Sequence, residues 1–208
     1  MTLSYSLNYE GPALTTTISL AQTNVDNLAA MDATPDGVPL LTQLTETATV
    51  LSSDIALSYQ FNDRLTLAGT VERFDYDEVF ESSYAIAPIE ERVTSSIDYM
   101  GDVWSLYASA IWVGERDLSK YGYDGYNIFD TAAKSTIAES YVTVDMKVTR
   151  DISDNMSMYF GAYNLFNETQ ARSMETPLFW DADGGYDVGY IYGPLRGREI
   201  YIGMQYIF

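Results

Sequence analysis

The chain has 208 residues, of which 47% are hydrophobic and 14% aromatic, so it is expected to fold rather than remain disordered. It contains no Cys and no His, which excludes disulfides, thiolate metal sites and Ser-His-Asp catalysis within the chain. The formal net charge of -19 argues against nucleic acid as a partner, because phosphates require Lys and Arg.

Alternation of apolar and polar residues dominates the chain and predicts β-strands rather than long amphipathic helices. Nine such segments follow one another, near residues 3–9, 13–23, 54–61, 64–74, 92–99, 103–114, 141–149, 156–166 and 198–208. Most have about ten residues or more, which exceeds the typical globular strand and suits a membrane-spanning one.

The connections alternate strictly between short and long. The short ones are Gly11-Pro12, Asn62-Asp63, Gly101-Asp102 and Asp151 to Asn155. The long, polar ones cover about 26–44, 77–90, 116–137 and 167–195. Short turns on one side and long loops on the other are typical of outer-membrane barrels, so the pattern predicts an antiparallel transmembrane β-barrel with extracellular long loops. The alternative is a soluble antiparallel sandwich that binds carbohydrate.

The predicted strands have one apolar and one polar face. Trp104, Leu106, Ala108, Ala110 and Trp112 share one face and are predicted to face lipid, with the two tryptophans in the aromatic girdles, while Ser105, Tyr107 and Ser109 share the other face. Four apolar residues of the next strand, Val142, Val144, Met146 and Val148, alternate with Asp145 and Lys147, which are predicted to face a wet lumen. In the last strand, Tyr206 and Phe208 end the predicted lipid-facing row.

Two of the long loops are rich in aromatic residues. The candidates for ligand contact are Tyr121, Tyr123, Tyr126, Trp180, Tyr186 and Tyr190. Aromatic rings offer stacking area and a polar group to sugar rings, aromatic chelators or corrins. The alternative is that these rings pack the loops together or sit in the girdles.

The acidic residues predict no catalytic constellation. Asp75, Asp77, Glu78, Glu90 and Glu91 are interpreted as charges of the rim and loops. Asp181 and Asp183 stand two residues apart beside glycines, as in calcium loops. They lack the third acidic position and the closing Glu of an EF-hand, so Ca²⁺ is a weak candidate and no other cofactor is expected.

Two segments carry a resemblance to a known family. Residues 151–168, DISDNMSMYFGAYNLFNE, resemble the penultimate hairpin of TonB-dependent outer-membrane receptors, and Asn164-Leu165-Phe166-Asn167 is the most recognisable part. Residues 192–208, YGPLRGREIYIGMQYIF, resemble the last strand of that family, which ends in Phe. The resemblance is specific over about 137–208 and architectural before it. It implies the last nine strands of a 22-stranded barrel.

The resemblance also implies a function. Such receptors import scarce ligands, such as siderophore-iron complexes, cobalamin or oligosaccharides, and contact TonB through an N-terminal plug domain. No plug domain and no signal peptide are recognised here, so the chain is expected to be a C-terminal, non-enzymatic barrel portion in a Gram-negative outer membrane. Its expected partners are outer-membrane lipid, lipopolysaccharide and the barrel assembly machinery. A small stand-alone barrel with a structural or adhesive role is the alternative.

Arg196 and Arg198 are expected to set register at the rim.

Overall fold

A computed structural model describes residues 1–33, 39–81, 88–121, 123, 125, 134–177 and 190–208. Its strands are β1 (Thr2–Glu10), β2 (Leu14–Val25), β3 (Ala29–Ala33), β4 (Pro39–Gln43), β5 (Ala48–Asn62), β6 (Leu65–Tyr76), β7 (Glu91–Met100), β8 (Trp104–Val113), β9 (Arg116–Asp117), β10 (Ile137–Ala138), β11 (Tyr141–Ser153), β12 (Met156–Tyr163) and β13 (Glu199–Tyr206). Nine of them form one antiparallel sheet in the order β1-β2-β5-β6-β7-β8-β11-β12-β13. The predicted all-β, nine-stranded fold is confirmed.

Helical structure in the described ranges is confined to single turns. These are α1 (Glu78–Glu81), a 3-10 turn at Leu118–Tyr121 and α2 (Gln170–Ser173). None of the described helices is long and apolar enough to cross a membrane.

One face of the sheet is apolar across its whole width. Val142, Val144, Met146 and Val148 of β11 lie opposite Trp112, Ala110, Ala108 and Leu106 of β8, as the alternation predicted. In the last hairpin, Ile200, Ile202 and Met204 lie opposite Ala162, Phe160 and Met158. Ala162 is buried, but the other residues of these rows are partly or largely exposed, with Ile202 at 72% and Phe160 at 48%, so no second sheet covers this face among the described residues. The strands therefore form one continuous sheet and not the two packed sheets of a sandwich.

The opposite face is polar and carries its own contacts. Arg92 donates from Nε and Nη2 to the two carboxylate oxygens of Glu72, at 2.5 and 2.7 Å. Lys147 lies with its Nζ 4.8 Å from the centre of the Tyr159 ring. Asp145 accepts a hydrogen bond from the backbone N–H of Asn164 at 2.8 Å. The charged residues predicted to avoid lipid thus share one face and are partnered within it.

The sheet has one edge of tight turns and one edge of long connections. The tight turns are 11–13, 63–64, 101–103 and 154–155, and the long connections are 26–47, 77–90, 114–140 and 164–198. Arg64 joins two neighbouring tight turns by an ion pair with Asp102 at 2.6 Å. The end of β13 lies at the same edge, where Ile207 donates its N–H to the Asn155 carbonyl at 2.9 Å.

The structure differs from the predicted elements mainly outside the central parts of the strands. β5 begins at Ala48 instead of near residue 54, because the Thr49 backbone N–H is held by Asp77 Oδ2 at 2.7 Å and Ala48 is fully buried. Two long connections, predicted without secondary structure, contain the ribbons β3–β4 and β9–β10. The strands of these ribbons are too short to show a recognisable alternation of apolar and polar residues. β11 also runs on to Ser153, which shortens the last turn to Asp154-Asn155.

Candidate functional site

The long connections 77–90, 114–140 and 164–198 meet in a structured unit, named here the loop cap for their described residues. Its buried core holds Leu118, Tyr121, Tyr123, Ala138, Tyr190 and Tyr192, with Met174 packed against it. Leu118, Ala138 and Tyr190 are fully buried. Tyr190 also donates its hydroxyl to the carbonyl of Ser135 at 2.7 Å, across 55 positions of the chain. The loops are therefore joined by packing as a globular core is.

Gln170 is the polar centre of the loop cap and is fully buried. Its Nε2 donates to the Tyr190 carbonyl at 2.8 Å, and its Oε1 accepts the backbone N–H groups of Tyr192 and Gly193 at 2.9 Å each. Its own backbone N–H donates to the carbonyl of Pro194 at 2.8 Å. One amide side chain thus forms hydrogen bonds to three backbone groups of the same turn. Without these partners, the buried backbone groups would carry a free-energy cost.

Arg116 connects all three loops of the cap. It is 3% exposed, and its guanidinium donates to the Tyr192 carbonyl at 2.7 Å and to the Pro88 carbonyl at 3.4 Å. Burial lowers the pKa of Arg116, while the neighbouring Tyr141 and Glu90 act in the opposite direction. A planar group with several donors suits this bridging of carbonyls.

Glu90 anchors the 3-10 turn of the cap. Its Oε1 accepts the Tyr121 hydroxyl at 3.0 Å and lies 3.4 Å from Lys120 Nζ. Burial, followed by the charge of Glu90, raises the pKa of Tyr121, and burial likewise raises the pKa of Tyr190. Both phenols therefore remain protonated hydrogen-bond donors at neutral pH.

The predicted ligand-contact aromatics divide into two groups. Tyr121, Tyr123 and Tyr190 are at most 7% exposed and belong to the core of the cap, which favours the loop-packing alternative for these three. Tyr126, Trp180 and Tyr186 lie outside the described residues, and ligand contact by them stays a prediction.

Metal binding has no support in the described part of the chain. Asp181 and Asp183 lie outside it, so the calcium hypothesis stays a prediction. Among the described residues no group of three or more acidic side chains is placed to hold a metal ion.

The carboxylates near the strand ends have structural contacts. Asp77 Oδ1 accepts the N–H of Phe80 at 2.9 Å, and so holds the first turn of α1. Glu91 lies 3.5 Å from Arg73 in an ion pair. Charges of this kind are consistent with the predicted rim role.

The Asn164-Leu165-Phe166-Asn167 motif joins the end of β12 to the start of β13. Asn164 has a left-handed φ of 47°, donates Nδ2 to the carbonyls of Glu168 and Arg196 at 2.7 and 2.9 Å, and accepts the Glu168 N–H at 2.8 Å. Asn167, with φ 59°, accepts the Arg198 N–H on its Oδ1 at 2.8 Å. Asn tolerates this conformation better than most residues. The two segments that carry the family resemblance therefore contact each other directly.

Arg196 and Arg198 take part in this junction mainly through their backbone. Their guanidinium groups make weak contacts, Arg196 with Glu199 at 3.8 Å and Arg198 with the Leu165 carbonyl at 3.4 Å. The carbonyl of Arg196 and the N–H of Arg198 make the short hydrogen bonds.

The predicted girdle residues lie on the apolar face at its two ends. Trp104 begins β8 at the tight-turn edge, and Trp112 lies opposite Val93 and Val142 near the long-loop edge. Tyr206 and Phe208 contact each other edge to face at the tight-turn edge, with ring centres 5.1 Å apart. This spacing of aromatic residues is compatible with two interfacial belts.

Sequence reasoning missed Gln170 and Arg116, the two buried polar residues that organise the cap. Both stand in loop segments where polar residues are ordinarily solvated. The only available signal was that Arg116 is one of just 11 basic residues in an acidic chain.

No protein-family model and no curated protein matches the sequence. Solved structures do match. A variant of the ferric enterobactin receptor PfeA of Pseudomonas aeruginosa has 16% identity and a TM-score of 0.72 over 100% of this chain and 31% of that one. The copper transporter OprC has 15% identity and a TM-score of 0.69, with the same coverage. The siderophore receptor PirA of Acinetobacter baumannii has 15% identity and a TM-score of 0.64, over 100% of this chain and 32% of that one.

The chain spans about 31% of the length of these structures. Similarity at this identity establishes the fold, which agrees with the one implied by the terminal motifs. The chain therefore has the fold of a portion of the barrel of TonB-dependent receptors.

Proposed function

We propose that the chain forms part of the wall of an outer-membrane TonB-dependent receptor of a Gram-negative bacterium and catalyses no reaction itself. The observation that carries the proposal is the similarity of the whole chain to receptor barrels, at TM-scores up to 0.72. The apolar face would meet lipid and lipopolysaccharide, and the polar face would enclose the lumen. TonB would act through a plug domain, and the barrel assembly machinery would recognise β13.

The loop cap supports a role in ligand capture. The loops 114–140 and 164–198 share one buried core, and hydrogen bonds of Arg116 and Tyr121 attach the loop 77–90 to it, so the described residues of the three loops are held as a unit. Binding sites are commonly built from loops held by a rigid scaffold. On this basis the ligand contacts are assigned to the other predicted aromatic residues of these loops, Tyr126, Trp180 and Tyr186, while Tyr121 and Tyr190 pack in the core of the cap.

The ligand class is proposed to be a scarce chelate or nutrient imported intact. The names of the similar structures make a siderophore-iron complex and copper the first to be tested, and cobalamin and oligosaccharides remain in the same class. A metal ion in this setting is cargo and not a resident cofactor.

The experiment is ligand titration of the whole receptor that contains this chain, reconstituted in lipid vesicles, because β1 and β13 are edge strands of the described sheet and an open edge is not satisfied in lipid. Ferric catecholate, copper, cobalamin and a maltooligosaccharide are the separate probes. We expect saturable binding of one probe, followed by the change in tryptophan fluorescence. Alanine at Tyr126 or Tyr186 should lower the affinity without changing thermal stability. Tyr5→Ala, on an exposed part of β1, is the matched control. Saturable binding of none of the four probes would contradict the proposed role.

A further inference from the structure

A pocket of about 490 Å³ lies on the polar face, where β11, β12 and β13 reach the long-loop edge and the segment 194–197 returns from the loop cap. The strands contribute Thr143 and Asp145 of β11, Tyr163 of β12 and Glu199 of β13, and Tyr163 lies opposite Glu199 in the register. Asn164 and the segment 194–197 complete the described lining. A volume of this size is in the range of sites for small molecules.

The segment 194–197 is fixed in place by hydrogen bonds to its backbone. The Pro194 carbonyl accepts the backbone N–H of Gln170 at 2.8 Å, and the Arg196 carbonyl accepts Nδ2 of Asn164 at 2.9 Å. This wall of the pocket is therefore formed before a ligand binds, which lowers the ordering cost of binding.

Tyr163 provides an aromatic surface to the pocket. It is 53% exposed, and its ring lies against that of Tyr201, with the ring centres 4.9 Å apart and the planes tilted by 34°. The end of the Tyr201 ring is held in turn over Gly161. The Tyr163 ring is thus supported by a neighbour while much of its surface stays open. Such a ring can stack on another flat, partly apolar ring.

The charges around this aromatic surface do not suit an anion. The described residues that line the pocket include two carboxylates, Asp145 and Glu199, and one guanidinium, that of Arg196. Arg196 and Glu199 form a long ion pair of 3.8 Å, which leaves Asp145 as the remaining charge of the lining. Asp145 Oδ1 accepts the Asn164 N–H at 2.8 Å, and so the carboxylate is held at the pocket. These carboxylates repel a ligand with several negative charges but accept hydrogen bonds from hydroxyl groups.

We propose that this pocket, named the sugar pocket, binds one ring of a neutral oligosaccharide, an inference that rests on the proposed function and narrows its ligand class. The apolar side of the sugar ring stacks on Tyr163, because its C–H groups are attracted to the negative face of the aromatic ring. The sugar hydroxyls donate to Asp145 and Glu199, and Arg196 donates to a sugar oxygen. A ferric catecholate could stack on Tyr163 as well, but its negative charges would meet both carboxylates.

The test is calorimetric titration of the whole receptor that contains this chain, reconstituted in lipid vesicles. The probes are maltotriose, cellotriose and xylotriose, and ferric catecholate, copper and cobalamin are titrated separately. We expect saturable binding of a trisaccharide and about tenfold weaker binding after Tyr163→Ala, because the stacking contact is lost. Tyr163→Phe keeps the ring and should bind like the unmodified receptor. Tyr107→Ala, at an exposed position of β8 on the same polar face, is the matched control and should change nothing.

Asp145→Asn tests the contribution of charge. The amide oxygen can still accept the Asn164 N–H, but a charge-assisted hydrogen bond to the sugar becomes a neutral one. The trisaccharide should therefore bind about fivefold more weakly. Thermal melting of every variant separates a loss of binding from a loss of folding.

The failures are distinguishable. Trisaccharide binding that Tyr163→Ala leaves unchanged, or ferric catecholate binding that Tyr163→Ala weakens, would overturn the sugar pocket and leave the proposed function intact. Saturable binding of ferric catecholate, copper or cobalamin without binding of any trisaccharide would have the same meaning. Saturable binding of no probe would contradict the proposed function and the sugar pocket together.

Discussion

At the scale of single residues, the loop cap depends on a few buried polar side chains. Gln170 serves three backbone groups of the turn 190–193, and Arg116 connects that turn to Pro88. A buried amide or guanidinium is retained at such a place because its removal leaves several backbone groups without partners. These residues therefore determine whether the loops form one unit.

Gln170→Leu keeps the approximate size of the side chain and removes all three of its hydrogen bonds. We expect a local destabilisation of the cap of about 3 kcal/mol, the cost of leaving buried backbone donors and an acceptor unsatisfied. Hydrogen exchange of residues 190–198 measures it, because the opening of the loop is local and the strands should keep their protection. The control is Gln205→Ala, at an exposed position of β13. Unchanged exchange in the loop would contradict the role of Gln170.

The buried phenols predict that the cap loses stability at alkaline pH. Burial raises the pKa of Tyr121 and Tyr190 above the usual value of about 10, so the folded cap binds these protons more tightly than the unfolded loops do. The contribution of these two phenols to the stability of the cap is fully present below a pH of about 10. It is lost as the pH rises through their raised pKa values. Limited proteolysis of the loops at a series of pH values should show this decline.

The decline should be weaker in a variant with both Tyr121→Phe and Tyr190→Phe, which has no phenol to ionise at these places. Tyr5→Phe, on the exposed β1, should retain the full pH dependence. An equally steep decline in the double variant would assign the pH dependence to other groups.

At the scale of elements, the hairpin β12–β13 is held by two reciprocal pairs of tyrosine and glycine. Gly203 lies opposite Tyr159, and Gly161 lies opposite Tyr201. Each tyrosine ring covers the place that a Cβ on the opposite glycine would occupy. The two rings also contact each other at 6.2 Å between centres. Glycine is needed at both places because of this close approach.

Gly203→Ala places a methyl group against the Tyr159 ring and should destabilise the hairpin by about 1–3 kcal/mol, the usual cost of overpacking. The equilibrium urea unfolding of the receptor that contains this chain, reconstituted in vesicles, measures this change. In a Tyr159→Ala background, the same substitution should cost much less, because the colliding ring is gone. Gly69→Ala is the control, since its Cβ would meet only the Thr94 carbonyl oxygen at 3.2 Å. An equal loss of unfolding free energy with and without the Tyr159 ring would contradict the proposed contact between Gly203 and that ring.

At the scale of the whole molecule, one sheet separates an apolar surface from a polar one. The separation follows from the antiparallel register, in which every strand presents its apolar row to the same side. In water, such a wide apolar surface would need a covering layer, and hydrocarbon provides one.

Val144→Arg tests the side that is proposed to meet hydrocarbon. Val144 lies mid-sheet opposite Ala110, and an Arg there should destabilise the chain in a bilayer by about 2–4 kcal/mol. Thr143→Arg, the neighbouring position on the polar face, is the matched control and should cost far less. Folding titrations in vesicles of defined lipid provide the measurement. Similar costs at the two positions would show that the apolar face is not in lipid.

The sequence by itself determined the strands, the two faces and the similarity of the ending to a receptor barrel. These features are local, because the two-residue period of each strand determines which side chains share a face. Val144 and Asp145 could be assigned to opposite sides on that basis alone.

Only the tertiary structure determined how the loops pack together and where the apolar face has a groove. Tyr190 and Ser135 are 55 residues apart, and Arg116 and Tyr192 are 76 apart, with no periodic pattern to pair them. The burial of Tyr121, Tyr123 and Tyr190 likewise depends on the loops 114–140 and 164–198 packing together. The groove of the apolar face needs four strands in register to bring Trp104, Arg150, Phe160 and Ile202 together, and a single strand's sequence does not contain that register.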